Sequence, residues 1–370
     1  MCGLCGIVSY GVGSAPEDQV RRMADKLVHR GPDEAGYHSS AALGGDSVRC
    51  TLGHRRLQII DIEGGHQPLS NADESTWVVF NGEIYNFREL RAELERKGHK
   101  FRTCSDTEVL VHAYDEHGDE FLQYLRGMFA FCLWDRRRGR VLLARDRLGQ
   151  KPMIYCCQKG QLFFASEFAA LLEGLPQRPE PNLSALQYYF SYLYVPAPMS
   201  AYKGVQKLPP AHYLVWEKGQ ASLHQYWRAD FSETSDIGME EAGERLDELL
   251  EEAVRLRMIS DVPLGAFLSG GIDSSLVVGL MSRSSERVRT FSIGFEESDF
   301  SELPVARAVA QHFGTEHHEE IVRPDALAIL PELVAHYGEP YADSSAIPTY
   351  YVSKMTRKHV TVALTGDGGD

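Results

Sequence analysis

Cysteine is scarce, and its seven residues, at positions 2, 5, 50, 104, 132, 156 and 157, follow no repeated spacing. An odd, scattered set in a chain of 370 residues excludes a disulfide-stapled scaffold. Cys2 and Cys5 form a C-x-x-C without a second pair, too few ligands for a closed zinc site. Cationic charge is short as well: Lys+Arg 38 against Asp+Glu 52 leave −14 at pH 7. That balance disfavours tight, non-specific binding to nucleic acid, which needs a basic face, but does not forbid a local basic pocket for a phosphate ligand. No apolar run reaches the roughly 20 residues that cross a bilayer, so no membrane association is expected. The first residues lack the basic, apolar and small-residue regions of a secretory signal, and the expected location is the cytoplasm. A Walker G-x-x-x-x-G-K-[ST] and an H-E-x-x-H are also missing.

What is present is a globular balance of 43% apolar and 24% charged residues, over a length that calls for two domains. To about Glu173 the pattern is α+β. Helical periodicity over Gln19–His29, Phe87–Lys97 and Thr107–His117 is joined by strand-like runs at Ser75–Phe80, Met128–Trp134, Val141–Arg145, Met153–Cys157 and Leu162–Ala165. Such antiparallel hairpins with helices predict two packed sheets flanked by helices. Seven prolines between Leu175 and Pro210 mark a connector with a short helix near Ala185–Leu193. The domains expected are 2–210, including this connector, and 211–370. In the second, Glu240–Met258 reads as an amphipathic helix with Leu246, Leu249, Leu250, Ala253 and Val254 inward. Strands and helices then alternate up to Val360–Leu364, the rhythm of a doubly wound parallel sheet. A Gly-rich loop ends the sequence one step after that apolar run, so a longer protein is expected, with its C-terminal side missing here.

Two constellations carry chemistry. If the initiator Met is removed, Cys2 gains a free α-amine, which near neutral pH can serve as base for its own thiol. Asn81-Gly82 offers a side-chain amide and a backbone N–H to an oxyanion. Arg56 can fork a carboxylate and Asp106 can hold an ammonium. Together these describe a site for an α-amino acid attacked at its side-chain carbonyl, and glutamine fits. Taken singly, Asn81-Gly82 also reads as a hairpin turn, Arg56 as a surface charge and Asp106 as a helix N-cap.

With Cys2, H-R-G-P-D (29–33), G-H-R-R-L (53–57), N-G-E-I-Y-N (81–86) and S-D-T-E (105–108) in this order, the sequence resembles the glutamine-hydrolysing asparagine synthetases. Their first domain is that of class II glutamine amidotransferases. The resemblance covers the whole chain. It implies an N-terminal-nucleophile αββα sandwich with Cys2 as nucleophile and Asn81 and Gly82 as oxyanion hole. It also implies glutamine-binding residues Arg56, Leu57, Gln58, Ile59, Ile60, Asn81, Gly82, Glu83 and Asp106.

The second constellation is Leu268-Ser269-Gly270-Gly271-Ile272-Asp273-Ser274-Ser275, placed between a buried strand and a helix. Small residues and helix-start amides make an anion cradle. S-G-G-x-D-S resembles the pyrophosphate loop of ATP pyrophosphatases. By that resemblance Leu268, Ser269, Gly270, Gly271, Asp273, Ser274, Ile293, Thr365 and Gly366 bind ATP. Asp367 serves adenylate formation, and Asp273 contacts Mg²⁺. A further Lys from the family's C-terminal region is expected to take part. The implied reaction amidates aspartate with glutamine nitrogen, releasing glutamate, AMP and pyrophosphate. No Arg stands within Ala342–Pro348, where an aspartate clamp is expected. Another carboxylate acceptor, such as a cell-envelope or natural-product acid, therefore stays open. So does a silent glutamine-binding protein. A homodimer is admitted as the assembly.

Overall fold

The computed structural model describes residues 1–11, 15–43, 47–296, 301–323 and 325–368. They form two compact units, 1–229 with 332–342, and 230–331 with 343–370. No helix among the described residues is long and apolar enough to cross a membrane.

The first unit runs β1 (Gly3–Tyr10), α1 (Glu17–Asp25), β2 (Glu34–Ala41), β3 (Val48–Arg56), β4 (Leu69–Ser70), β5 (Thr76–Ile84), α2 (Phe87–Arg96), α3 (Glu108–His117) and a 3-10 helix, Gly118–Tyr124. It continues with β6 (Gly127–Asp135), β7 (Arg140–Arg145), β8 (Ile154–Gln158), β9 (Gln161–Ala165), α4 (Phe168–Gly174), α5 (Leu183–Tyr192), β10 (Val205–Lys207), β11 (His212–Glu217) and β12 (Gln220–Gln225). Two six-stranded antiparallel sheets result, ordered β10-β8-β9-β1-β3-β2 and β12-β11-β7-β6-β5-β4.

Their inner faces meet. Leu4, Val8, Leu52 and Phe164 pack with Val79, Trp134, Val141 and Trp216 in one buried cluster. The outer face of the first sheet carries Cys5, Ile7 and Phe163 against Val20, Met23 and Leu27 of the α1 region and Phe168 and Leu171 of α4. α3 packs on β5 of the second sheet. The order helix, sheet, sheet, helix is the αββα sandwich expected. β1 alternates Leu4 and Val8 inward with Cys5 and Ile7 outward. Both faces are covered, so every residue from Gly3 to Ser9 is buried.

Two expectations are corrected here. β5 continues through Asn81 and Gly82, which pair with Ala130 and Phe129 of β6, so this dipeptide is no hairpin turn. A Cβ at position 82 would lie 2.1 Å from the Met128 carbonyl oxygen, so close strand approach is what requires glycine. The boundary expected at 210 falls after Ala229 instead. β11 pairs with β7 from Tyr213↔Ala144 to Glu217↔Arg140, and β12 follows as the outermost strand. The Pro-rich segment is thus followed by more of the same sheet.

The second unit contains α6 (Met239–Arg257), β13 (Leu264–Phe267), α7 (Ile272–Ser284), β14 (Arg289–Gly294), α8 (Leu303–Phe313), β15 (Glu316–Ile321), the first part of α9 (Ala326–Tyr337), α10 (Ala346–Thr356) and β16 (Val362–Leu364). Its sheet is parallel throughout, ordered β15-β14-β13-β16. The chain moves outward from β13 to β15 and returns to the other side of β13, so the order reverses between β13 and β16. Open α/β sheets bind ligands outside the carboxyl ends of strands at such a point. α6 corrects a further expectation: Val254 is buried, but Leu246 and Leu249 are 56% and 54% exposed.

Candidate active site

β1 starts at Gly3, which leaves Cys2 just before the strand, half-buried. The Leu57 N–H donates to Cys2 Sγ at 3.4 Å. Arg30 Nε donates to the Cys2 carbonyl at 2.9 Å, and Arg30 pairs with Glu167 at 2.7 Å. Burial pushes the Cys2 thiol above its ordinary value, while the Leu57 N–H, the N-terminal ammonium and Arg56 pull against it. This thiol therefore needs a base to become a thiolate. Lys151, 6% exposed, lies 3.1 Å from Met1 Sδ. Burial lowers its pKa, opposed by Glu83.

The H-R-G-P-D and G-H-R-R-L motifs build one floor. Gly31 runs so close to β3 that a Cβ there would sit 2.2 Å from the Arg55 carbonyl oxygen. Asp33 donates its N–H to Arg56 O at 3.1 Å and accepts from Gln58 N at 2.9 Å. Arg56 is 4% exposed and so is not a surface charge. Its guanidinium donates to the carbonyls of Ile60, Asp61 and Ile62 at 3.2, 2.6 and 3.1 Å, holding the loop that carries Leu57, Gln58, Ile59 and Ile60.

β5 packs against β1 and β3 across the sandwich. On it Asn81 is fully buried, and neither its amide nitrogen nor its oxygen has a partner. Two polar atoms left so in a protein interior are rare and costly. Asp106, 5% exposed, accepts from the Ile84 N–H of the same strand at 3.0 Å. It does not cap α3, whose N-cap is Thr107. Burial raises its carboxyl to about 6, against the Ile84 and Ser105 hydrogen bonds. Glu83, 8% exposed, follows Gly82 on the strand. Cys2, the Leu57 loop and Asp106 thus gather in the field of Arg56, and Asn81 stands on the strand whose Ile84 N–H holds Asp106. Sequence reading missed how Arg30 holds the Cys2 carbonyl and Asp33 holds Gln58, although both stand inside a motif it had singled out.

In the second unit a cavity of about 590 Å³ opens at the carboxyl ends of β13, β14 and β16. Leu268, Ser269, Gly271, Asp273, Ser274, Ile293, Thr365, Gly366 and Asp367 line it, joined by Phe267, Phe291, Glu302, Pro348, Thr349 and Val352, which sequence reading did not assign. Gly270 does not line it. Its φ of +87° turns the loop, and its Cα faces Val305 and Ala306 of α8. Ser269 Oγ accepts from Gly271 N at 3.2 Å and meets Ser274 Oγ at 2.9 Å, which shapes the loop at the start of α7. Gly366 passes so near that a Cβ would stand 2.7 Å from Ser274 N. The Ser-Gly loop and the Thr365–Asp367 turn are therefore the two lips of one site.

Comparison with known proteins follows this division. Residues 1–227 match the glutamine amidotransferase domain family, and 245–370 match asparagine synthase. Among curated relatives, asparagine synthetase [glutamine-hydrolyzing] 1 of Bacillus subtilis is 40% identical across 100% of this chain and 58% of its own length. The putative asparagine synthetase [glutamine-hydrolyzing] 2 of Methanocaldococcus jannaschii is 36% identical, with 100% and 74% covered. The chain thus spans just over half the length of the first of these. Among solved structures, a glutamine phosphoribosylpyrophosphate amidotransferase from B. subtilis is similar at TM-score 0.46 and 17% identity, covering 93% of this chain and 94% of that one. The two family models together match residues of both units, the identity of these relatives extends over the whole chain, and the chain belongs to the family of glutamine-hydrolysing asparagine synthetases.

Proposed function

We propose that this chain takes ammonia from glutamine at Cys2 and uses ATP at the Ser269–Ser275 loop to amidate a carboxylate, aspartate first among acceptors. The observation that carries the reading is the unpartnered, fully buried amide of Asn81, on the strand whose Ile84 N–H binds Asp106, a carboxylate that acts electrostatically on the Cys2 thiol. A donor held so is preorganised for an oxyanion that forms only during reaction.

With Met1 removed, the Cys2 α-amine takes the thiol proton and sulfur attacks the glutamine side-chain carbonyl. Asn81 Nδ2 and the Gly82 N–H hold the oxyanion. As the C–N bond breaks, the amine returns its proton to the leaving ammonia, and water then cleaves the thioester to glutamate. Arg56 takes the substrate's α-carboxylate and Asp106 its ammonium. Leu57, Gln58, Ile59, Ile60 and Glu83 wall the site.

In the second unit an acceptor carboxylate oxygen attacks the α-phosphorus, and pyrophosphate leaves against the amides at the start of α7. Ammonia then displaces AMP from the acyl-adenylate. Leu268 and Ile293 flank the nucleoside, with Gly270, Thr365 and Gly366 shaping the phosphate path and Asp367 serving adenylate formation. Asp273, Glu302 and Asp367 offer hard oxygen donors there, and the donor set fits Mg²⁺. Among the described residues these three carboxylates do not form one close cluster. Asp273 would hold it, and the ion would neutralise phosphate charge.

Among the described residues no Lys or Arg lines the cavity, which favours a second reading with a carboxylate other than aspartate as acceptor. The test is product analysis with glutamine, α-labelled ATP and a panel of acids. Label is expected in AMP, with an amide from one acid. Cys2→Ala should abolish glutamine-dependent synthesis and spare the ammonia-dependent reaction. Labelled ADP as the stoichiometric product would refute the adenylate, and equal loss of both nitrogen sources would refute two separate sites.

A further inference from the structure

Three side chains that the glutaminase reading does not use converge on the first unit. His29 lies in the turn after α1, Glu167 immediately before α4, and His336 in the last turn of α9. Each brings one ligand atom within 4.8 Å of the others'. His29 Nε2 stands 3.1 and 2.9 Å from the two Glu167 oxygens. The rings of His29 and His336 meet edge-on, their centroids 4.5 Å apart at 61°.

Arg30 donates to Glu167 Oε1 at 2.7 Å. That anchors one carboxylate oxygen, while the other, Oε2, lies 2.9 Å from His29 Nε2. Ligating carboxylates are typically oriented by such a neighbour. We propose that His29, Glu167 and His336 form a binding site for a divalent transition-metal cation of the zinc class, with a coordination position open to solvent. Two imidazoles and one carboxylate are the borderline donor set that favours Zn²⁺ over Mg²⁺ or Ca²⁺. Both histidines are exposed, so the ion has a path in and the rings can close the remaining gap by small rotations. Ligand bonds of about 2.0–2.2 Å place donor atoms roughly 3.3 Å apart, so shifts on the order of 1 Å suffice. Glu167 is also one residue pair from the Cys2 carbonyl through Arg30, yet the site stands on its own geometry and needs no reading of function.

The test is titration of chelator-stripped protein with Co²⁺, followed by displacement with Zn²⁺. Expected is a visible ligand-field band that saturates at one equivalent and disappears with Zn²⁺. His336→Ala and His29→Ala should each weaken the metal by at least about 100-fold, beyond the 10–100-fold typical of outer-shell partners. His336→Ala should leave metal-free glutamine hydrolysis unchanged, which shows that the variant is folded. Absence of a saturable band overturns the site. So does undiminished affinity in both variants, or a thiolate-to-cobalt charge-transfer band that persists in them.

Discussion

Asp106→Asn separates the cost of the glutamine site from its use. The carboxyl is buried, with a pKa raised to about 6 chiefly by that burial, whereas an unfolded Asp titrates near 4. The native state therefore binds the proton more tightly. Stability falls as pH rises from about 4 through about 6, and the loss is complete above that. Roughly two pH units at ~1.4 kcal/mol each correspond to ~3 kcal/mol of native-state strain at neutral pH. Asparagine keeps an oxygen for the Ile84 N–H and carries no charge. Denaturant unfolding should show the variant more stable by ~1–3 kcal/mol at pH 7.5, with the gap vanishing near pH 4. Its glutamine affinity should fall about 10–150-fold, the equivalent of one charge-assisted hydrogen bond to the α-ammonium. Calorimetric binding to Cys2→Ala protein isolates this from chemistry. With Asp106 present, affinity should weaken about tenfold per pH unit below about 6, and with Asn it should be flat there. A variant that is less stable at pH 7.5 and binds glutamine as before would refute both halves of the argument.

Asn81→Ala should lower glutaminase kcat by about 10²–10³ with little change in KM, measured as glutamate release at saturating glutamine. Arg56→Lys loses the fork that holds the Ile60, Asp61 and Ile62 carbonyls. It should raise KM and speed proteolysis within residues 57–65, whereas an unchanged cleavage pattern would limit Arg56 to the substrate. Gly366→Ala places a Cβ 2.7 Å from Ser274 N, so ATP affinity by calorimetry should drop at least about tenfold while glutamine hydrolysis persists.

The sandwich and the parallel sheet were legible in the sequence where one face differed from the other or where a motif marked a loop. β1 was not read as a strand, because residues covered on both faces show no polar alternation. Asn81-Gly82 imitates a turn locally. Only pairing with β6, some 48 residues on, shows that the strand passes through it. β11 and β12 were assigned to the wrong side of the boundary because proline at 209 and 210 marks a break in local structure, not the edge of a unit. The residues of the proposed glutamine site stand in the sequence as separate short motifs. How they cooperate was not visible, since Asp33 holding Gln58 and Arg30 holding Cys2 depend on β1 and β3 pairing. His29, Glu167 and His336 carry no spacing at all that sequence could reveal.

The return of residues 332–342 to the first unit sets a timetable for its folding. Lys207 is 17% exposed at its side chain and pairs with Glu339, whose carboxylate also accepts from Ala201 N at 3.1 Å, while the Tyr202 hydroxyl donates to Gly338 O at 2.8 Å. A nascent chain that has emerged only to Ala229 lacks these partners. Roughly 100 more residues must be translated first, about 5–20 s at ribosomal speed. During that interval Lys207 lacks both its counter-charge and the segment that covers it in the finished chain. A fragment cut at residue 227, where family resemblance to an amidotransferase ends, would lack that segment permanently, so the inherited sequence module is shorter than the piece that folds as one.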